Sequence, residues 1–177
     1  MATLGLVAQH GPGLTLAQVG AEVGLSAATV MQRFGSKRAL MLEVAKSWGH
    51  GPEMKFDCGG VVGDDLPAGM AKLARMMSTP EEVANLTAAL HIDLTDPEFR
   101  GIIQQEMQRQ HSLVQGALET GIERGEIKPC DTAILSRQLQ VVGLGALQSW
   151  SIEPKGELHD WITECLETAL NPWRLDR

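Results

Sequence analysis

The sequence predicts an all-α protein, an N-terminal three-helix head containing a helix-turn-helix followed by a longer helical body. Three observations carry that prediction. Apolar residues recur at helical spacing, and no segment alternates apolar and polar residues as a half-buried strand would. Helix starts are written as a small polar residue followed by proline and acids, as in Thr79-Pro80-Glu81-Glu82 and Asp96-Pro97-Glu98. Breakers concentrate over residues 50–67, where Gly51, Gly59, Gly60 and Gly63, with Pro52 and Pro67 near the two ends, read as a linker. The expected division is residues 1–48 as the head and 49–177 as the body.

In the head, residues 1–9 form a short apolar helix with Leu4, Val7 and Ala8 on its packing side, ended by His10-Gly11-Pro12-Gly13. Thr15 is placed as an N-cap, with Gln18 completing a capping box. The helix it opens runs to about Val23, with Val19 and Val23 on one apolar face. Gly20 beside them costs helix stability, and close approach of a second backbone is the reason for it. Gly24 ends the helix in a left-handed conformation and Leu25 is expected to pack the corner. Ser26 caps a second helix to about Arg33, with Val30 and Phe34 turned inward. Ala27, Ala28, Thr29, Gln32 and Arg33 remain outside, and a small, hydrogen-bonding outer face is what entry into a major groove requires. Ser36 then caps a helix from Lys37 to about Trp48, with Leu40, Met41, Val44 and Ala45 at helical spacing. Lys37 opposes the dipole of that helix, which leaves two readings, a phosphate contact or a solvated lysine.

Over about residues 15–42 the chain resembles the TetR family of bacterial transcriptional regulators (TetR/AcrR-like). That family runs from a Ser-capped recognition helix into an aromatic, a short turn and a Ser-Lys pair, as do Ser26, Thr29, Phe34, Ser36, Lys37 and Leu40. The resemblance implies a DNA-binding transcriptional regulator, a ligand-responsive repressor that binds a palindromic operator as a homodimer. Its DNA contacts would be Thr15, Ser26, Ala27, Ala28, Thr29, Gln32, Arg33, Ser36 and Lys37. Met31 stands where the family usually has a phosphate-binding Tyr, and Arg33, where a His is frequent, is a charged donor that offsets the loss. Only nine residues precede the His10–Gly13 break, where relatives carry a basic arm and a full first helix. Either the natural start lies upstream or DNA is held less tightly.

In the body, residues 67–77 read as a short helix with Met70, Leu73 and Met77 on one side. The helix opened by Thr79 carries Val83, Leu86, Leu90 and Leu94. The one opened by Asp96 runs to about Arg124, with Ile102, Ile103, Leu113, Val114, Ala117 and Leu118 core-like and Gln104, Met107, Gln108 and His111 on a mixed stripe. Gly125 and Pro129 end it. Asp131 caps a helix to about Ser151 whose apolar residues include Ile134, Leu135, Leu139, Leu144 and Trp150, and a last helix covers about 156–170 with heptad-like spacing. By resemblance this last pair meets its copy across a two-fold axis, through Leu139, Val142, Gly143, Ala146, Leu158, Trp161, Ile162, Cys165 and Leu166. Burial within one subunit is the competing reading for each. The resemblance also implies a pocket for a small apolar effector, with Met70, Met77, Leu90, Met107, His111 and Trp150 as candidates because Met and Trp make adaptable apolar walls. A ligand there would shift the spacing of the two heads through the helix ending near Trp48.

Charge distribution agrees with one-ended docking. The chain carries a net −7, yet residues 1–50 hold Arg33, Lys37, Arg38 and Lys46 against Glu22 and Glu43, so a mildly basic head is joined to an acidic body. No apolar run approaches the roughly 18 residues of a membrane span, and the first residues lack signal-peptide order; a cytoplasmic protein is expected. Cys58, Cys130 and Cys165 show no metal-ligand spacing and read as reduced thiols, with Lys55 the one cation near Cys58. His91, Asp93 and Asp96 form a compact polar cluster but stand at spacings that share no helix face, and Asp96 reads as a cap. With no Gly-rich phosphate loop, nucleophile elbow or paired-Cys motif, neither catalytic residues nor a cofactor are expected. A helical interaction protein with a degenerate helix-turn-helix remains the alternative.

Overall fold

The computed structural model describes residues 2–47 and 60–175. Trp48, Lys55 and Cys58 fall outside the described residues, as do the side chains of Leu4, Leu73 and Asp93. Among the described residues there are nine α-helices and no strand. They are α1 (Ala2–His10), α2 (Leu16–Glu22), α3 (Ala27–Phe34), α4 (Lys37–Ser47), α5 (Val62–Met70), α6 (Pro80–Thr95), α7 (Pro97–Glu123), α8 (Thr132–Ile152) and α9 (Leu158–Leu170), with 3-10 turns at Gly11–Gly13, Ala71–Met76 and Asn171–Trp173. The all-α expectation holds. The chain packs as two compact units, one of α1–α4 with α6 and α7 to Glu106, the other of α5, α7 from Met107, α8 and α9.

The first unit is built on Leu6, Val7, Leu14, Val19, Val30, Leu40 and Ala89, with Phe34 and Met41 half-buried against them. Its helix starts are local chemistry. Thr15 Oγ1 accepts from Gln18 N at 3.3 Å while Gln18 Oε1 accepts from Thr15 N at 2.8 Å, closing the reciprocal box. Gly20 lies against the backbone of the next turn, and Gly24 takes φ +68°. Two expectations fail at that turn. Val23 and Leu25 are exposed, by 51% and 38%. Val23 is already the C-cap, at φ −107° and ψ 12°, so its side chain leaves the face that Val19 commits to the core.

In the second unit the largest fully buried side chains are Leu66, Leu118, Ile127, Leu139, Leu166 and Leu170. The helix expected over 67–77 is displaced: α5 begins at Val62 and carries Pro67 inside it, and the turn after it is 3-10. The expected linker therefore stops short of residue 67. A proline there removes the N–H that would bond the carbonyl of the residue four before it. Arg174 repairs the loss, its Nη2 donating to Gly63 O, while Gly63 has no side chain to obstruct it. Val61 offers no capping side chain, and Glu126 Oε2 accepts from Val62 N at 2.8 Å instead. Lys128 N to Trp173 O (2.7 Å) and Leu175 N to Glu126 O (3.0 Å) lash the same residues together.

Asp131 caps α8 as expected, accepting from Ile134 N at 3.0 Å. Asp131→Ala should cost about 1 kcal/mol, read as a fall in Tm of about 2–4 °C in a thermal melt.

Candidate nucleic-acid interface

All nine residues expected to meet DNA are exposed: Thr15, Ser26, Ala27, Ala28, Thr29, Gln32, Arg33, Ser36 and Lys37. They divide by task. Thr15, Ser26 and Ser36 are caps, Ser26 Oγ accepting from Thr29 N at 3.1 Å and Ser36 Oγ from Ala39 N at 3.0 Å. Val30, 1% exposed, anchors α3 to the core, which turns Ala28 and Gln32, two positions to either side, away from it, while Ala27 and Arg33 stay exposed at the flanks of that contact. That outer face has no bulky apolar residue except Met31, 45% exposed. The Arg33 guanidinium lies 5.7 Å from the Phe34 ring centroid. Lys37 Nζ donates to Pro12 O at 2.8 Å, so the cation at the start of α4 is neither simply solvated nor unsupported.

Sequence reasoning missed the neighbour of Lys37. Arg38 donates from Nε to Asp96 Oδ2 (2.8 Å), from Nη2 to Asp96 Oδ1 (3.0 Å) and to Glu98 Oε2 (2.8 Å), and its guanidinium lies 5.8 Å from the Phe99 ring centroid. Asp96 is also the expected cap, its Oδ1 accepting from Glu98 N at 2.9 Å. The Arg38 hydrogen bonds hold the Asp96 carboxyl below the usual carboxylate range, against a smaller opposing push from burial. A depressed carboxylate contributes stability above its unfolded pKa and loses it as pH falls through the folded one. Arg38→Met should therefore lower Tm by only about 1–3 °C at pH 7, since the pair is exposed. Melts of variant and wild type should converge at a pH below the depressed Asp96 value. A gap that persists there would assign the effect to the Phe99 contact.

The six residues expected to line an effector pocket are not all together. Leu90 belongs to the first unit, the other five to the second. Met70, Met77 and His111 are half-buried, Met107 is 38% exposed, and Trp150 is buried with Nε1 donating to Gly156 O at 3.2 Å. Burial and the charge of Arg137 push the His111 pKa down. Of the nine residues expected at a dimer face, Leu139, Ala146, Leu158, Ile162 and Leu166 are buried inside the second unit, while Val142, Gly143, Trp161 and Cys165 are half-buried. The exposed apolar residues of α8 lie elsewhere: Ile134, Val141, Leu144 and Ile152 are each at least half exposed. Ile134, Gln138, Val141, Gly145, Gln148 and Ile152 recur at alternating spacings of four and three, one stripe along the helix. Beside it a groove of about 450 Å³ is lined by residues that include Ile134, Leu135, Gln138, Val142 and Ala169. Burial raises the thiol pKa of Cys130 and Cys165, helped by Asp131 and Glu164 respectively, which makes both poor nucleophiles.

Residues 1–44 match the family model of bacterial regulatory proteins, tetR family. No curated protein sequence matches the chain. Solved structures align over nearly all of it. A candidate transcriptional regulator from Saccharomonospora viridis, crystallised with choline, is 16% identical over 99% of this chain and 95% of its own, with a TM-score of 0.73. SmeT, the repressor of the Stenotrophomonas maltophilia multidrug efflux pump SmeDEF, is 22% identical over 99% and 88%, at 0.68. The ketosteroid transcriptional regulator KstR2 of Mycobacterium tuberculosis is 14% identical over 99% and 92%, at 0.65. The head is that of the bacterial regulatory proteins of the tetR family, carried on a chain with the fold of that family's regulators.

Proposed function

We propose that this protein is a ligand-responsive transcriptional repressor that binds a palindromic double-stranded DNA operator as a homodimer in the bacterial cytoplasm. The observation that carries the reading is the outer face of α3, exposed, small and hydrogen-bonding from Ala27 to Arg33 over a buried Val30. Gln32 and Arg33 are the base-reading candidates, Lys37 a phosphate contact. One head with so few cations binds weakly, whereas two held by one dimer address half-sites about 34 Å apart. Residues 1–48 would read DNA, and residues 49–177 would bind effector and dimerise.

For the dimer, the favoured surface is the Ile134–Gln138–Val141–Gly145–Gln148–Ile152 stripe of α8 with its flanking groove, joined by the half-buried Val142, Gly143, Trp161 and Cys165. Apolar residues that are half exposed or more along one helix are costly to leave in water and gain most from a second copy. For the effector, a small apolar molecule is proposed among Met70, Met77, Met107, His111 and Trp150. The choline bound to the Saccharomonospora viridis protein supports a small-molecule role for this fold. Differential affinity of that ligand for two arrangements of the heads would set operator occupancy.

The deciding experiment is selection of random duplex DNA by the purified protein at low and moderate salt. An enriched palindrome is expected, and its half-site spacing gives the separation of the heads. Binding without enrichment, or no binding at either salt, would overturn the repressor reading and favour an interaction protein.

A further inference from the structure

We infer that Asn85, on α6, is a positioning residue for DNA binding: it fixes the Gly11–Gly13 turn, whose Pro12 carbonyl aims the Lys37 ammonium. The inference rests on the proposal that the head binds DNA. Where α1 ends at His10, its last carbonyls have no helical donors. The Asn85 amide supplies them from another helix, Nδ2 donating to Ala8 O at 3.0 Å and to Gln9 O at 3.1 Å. Both hydrogens of that amide are thereby engaged.

Asn85 also constrains the residues after α1. Gly11 is buried at φ +56°, a conformation L side chains rarely adopt, and a Cβ on it would stand 2.8 Å from Asn85 Oδ1. The turn can lie against Asn85 only because residue 11 is glycine. Pro12 comes next, with φ locked by its ring and no N–H, so its carbonyl is its sole hydrogen-bonding group. That carbonyl receives Lys37 Nζ at 2.8 Å. An ammonium has three hydrogens, and one on Pro12 leaves two for a phosphate. The carbonyl dipole offsets the repulsion that a cation meets in the first turn of α4. The same turn is wired to α2, through Gln18 Nε2 and His10 Nδ1 at 3.2 Å, and closed by Leu14 N donating to Gly11 O at 3.2 Å. A side chain on α6 thus sets, through Gly11 and Pro12, where a cation on α4 points.

The test is a double-mutant cycle on a duplex recovered by the wild-type protein from a random pool, with affinity measured from about 50 to 300 mM salt. Asn85→Ala is expected to lower affinity about tenfold and to reduce the salt slope by about 0.9, the value for one phosphate contact. Added to Lys37→Met, it should cost nothing further. Asn85→Asp keeps the side-chain volume but removes the donor, and should reproduce the effect if the alanine variant is unfolded. Reduced affinity with an unchanged salt slope, additive with Lys37→Met, would reduce Asn85 to a structural cap on α1 and overturn the inference. Wild-type protein that binds no duplex would instead overturn the DNA reading on which it stands.

Discussion

Gly20→Ala should destabilise the head by about 2 kcal/mol and abolish measurable sequence-specific DNA binding. Two effects oppose each other at this position. Alanine is the better helix former by roughly 1 kcal/mol, so an unencumbered Gly20 would gain from the change. Here a Cβ would stand 2.5 Å from Leu25 O and 3.2 Å from the Ser26 carbonyl carbon, backbone atoms with no rotamer to escape into. The same backbone is held in place from the other side, Leu25 N donating to Gly20 O at 2.7 Å. Relief requires the turn to move as a body, and Ser26 is the residue that starts α3. The clash is the larger effect, and the displacement it forces falls on the reading helix. Gly116→Ala is the control: nothing lies within 4 Å of its Cβ position, so it should stabilise by roughly 0.5–1 kcal/mol. Thermal melts of both variants beside a binding isotherm check the pair. A Gly20→Ala protein that melts higher than wild type would mean that propensity wins and that the turn is looser than described.

Val141→Asp should dissociate the proposed dimer, raising its dissociation constant at least about 100-fold, while leaving the subunit folded. Val141 is 65% exposed in the single chain, so a carboxylate there meets water and costs the isolated fold little. In the proposed dimer the stripe would face its own copy across a two-fold axis, and each aspartate would be buried without a partner, a penalty of several kcal/mol. Sedimentation equilibrium measures the association, and circular dichroism the fold. Affinity for a full palindrome should fall with it, while affinity for one half-site should not. Leu144, half exposed at the edge of the stripe, should respond less to the same change. Undiminished association of the Val141 variant would put the interface on another surface.

What could be read from the sequence was what neighbouring residues decide. The caps at Thr15, Ser26 and Asp131 each need a side-chain oxygen and an N–H three positions on, so the pattern and the bond are nearly the same statement. The exposure of Ala28 and Gln32 on α3 followed from one Val30 turned inward two positions from each. Elements set by distant partners were opaque. A proline inside α5 contradicts any local rule until the Arg174 guanidinium is brought to the Gly63 carbonyl, 111 positions away. In α8, apolar residues occupy the whole circumference, so periodicity could not say that Leu139 and Ala146 turn inward while Val141 and Ile152 face out. Arg38 looked like one more basic residue of the head because its carboxylate partners stand 58 and 60 positions along the chain.

That dependence of α5 on residue 174 also orders events during synthesis. At about 5–20 residues per second on the ribosome, roughly 6–20 s separate the appearance of Gly63 from that of the guanidinium that completes its helix. The residues of the first unit end at Glu106, so all of them are made before that interval closes. A growing chain therefore carries every residue of its first unit before the last residues of its second. On the proposed reading, in which DNA is held by two heads, chains that lack residue 174 would stay off the operator until translation has delivered the strap.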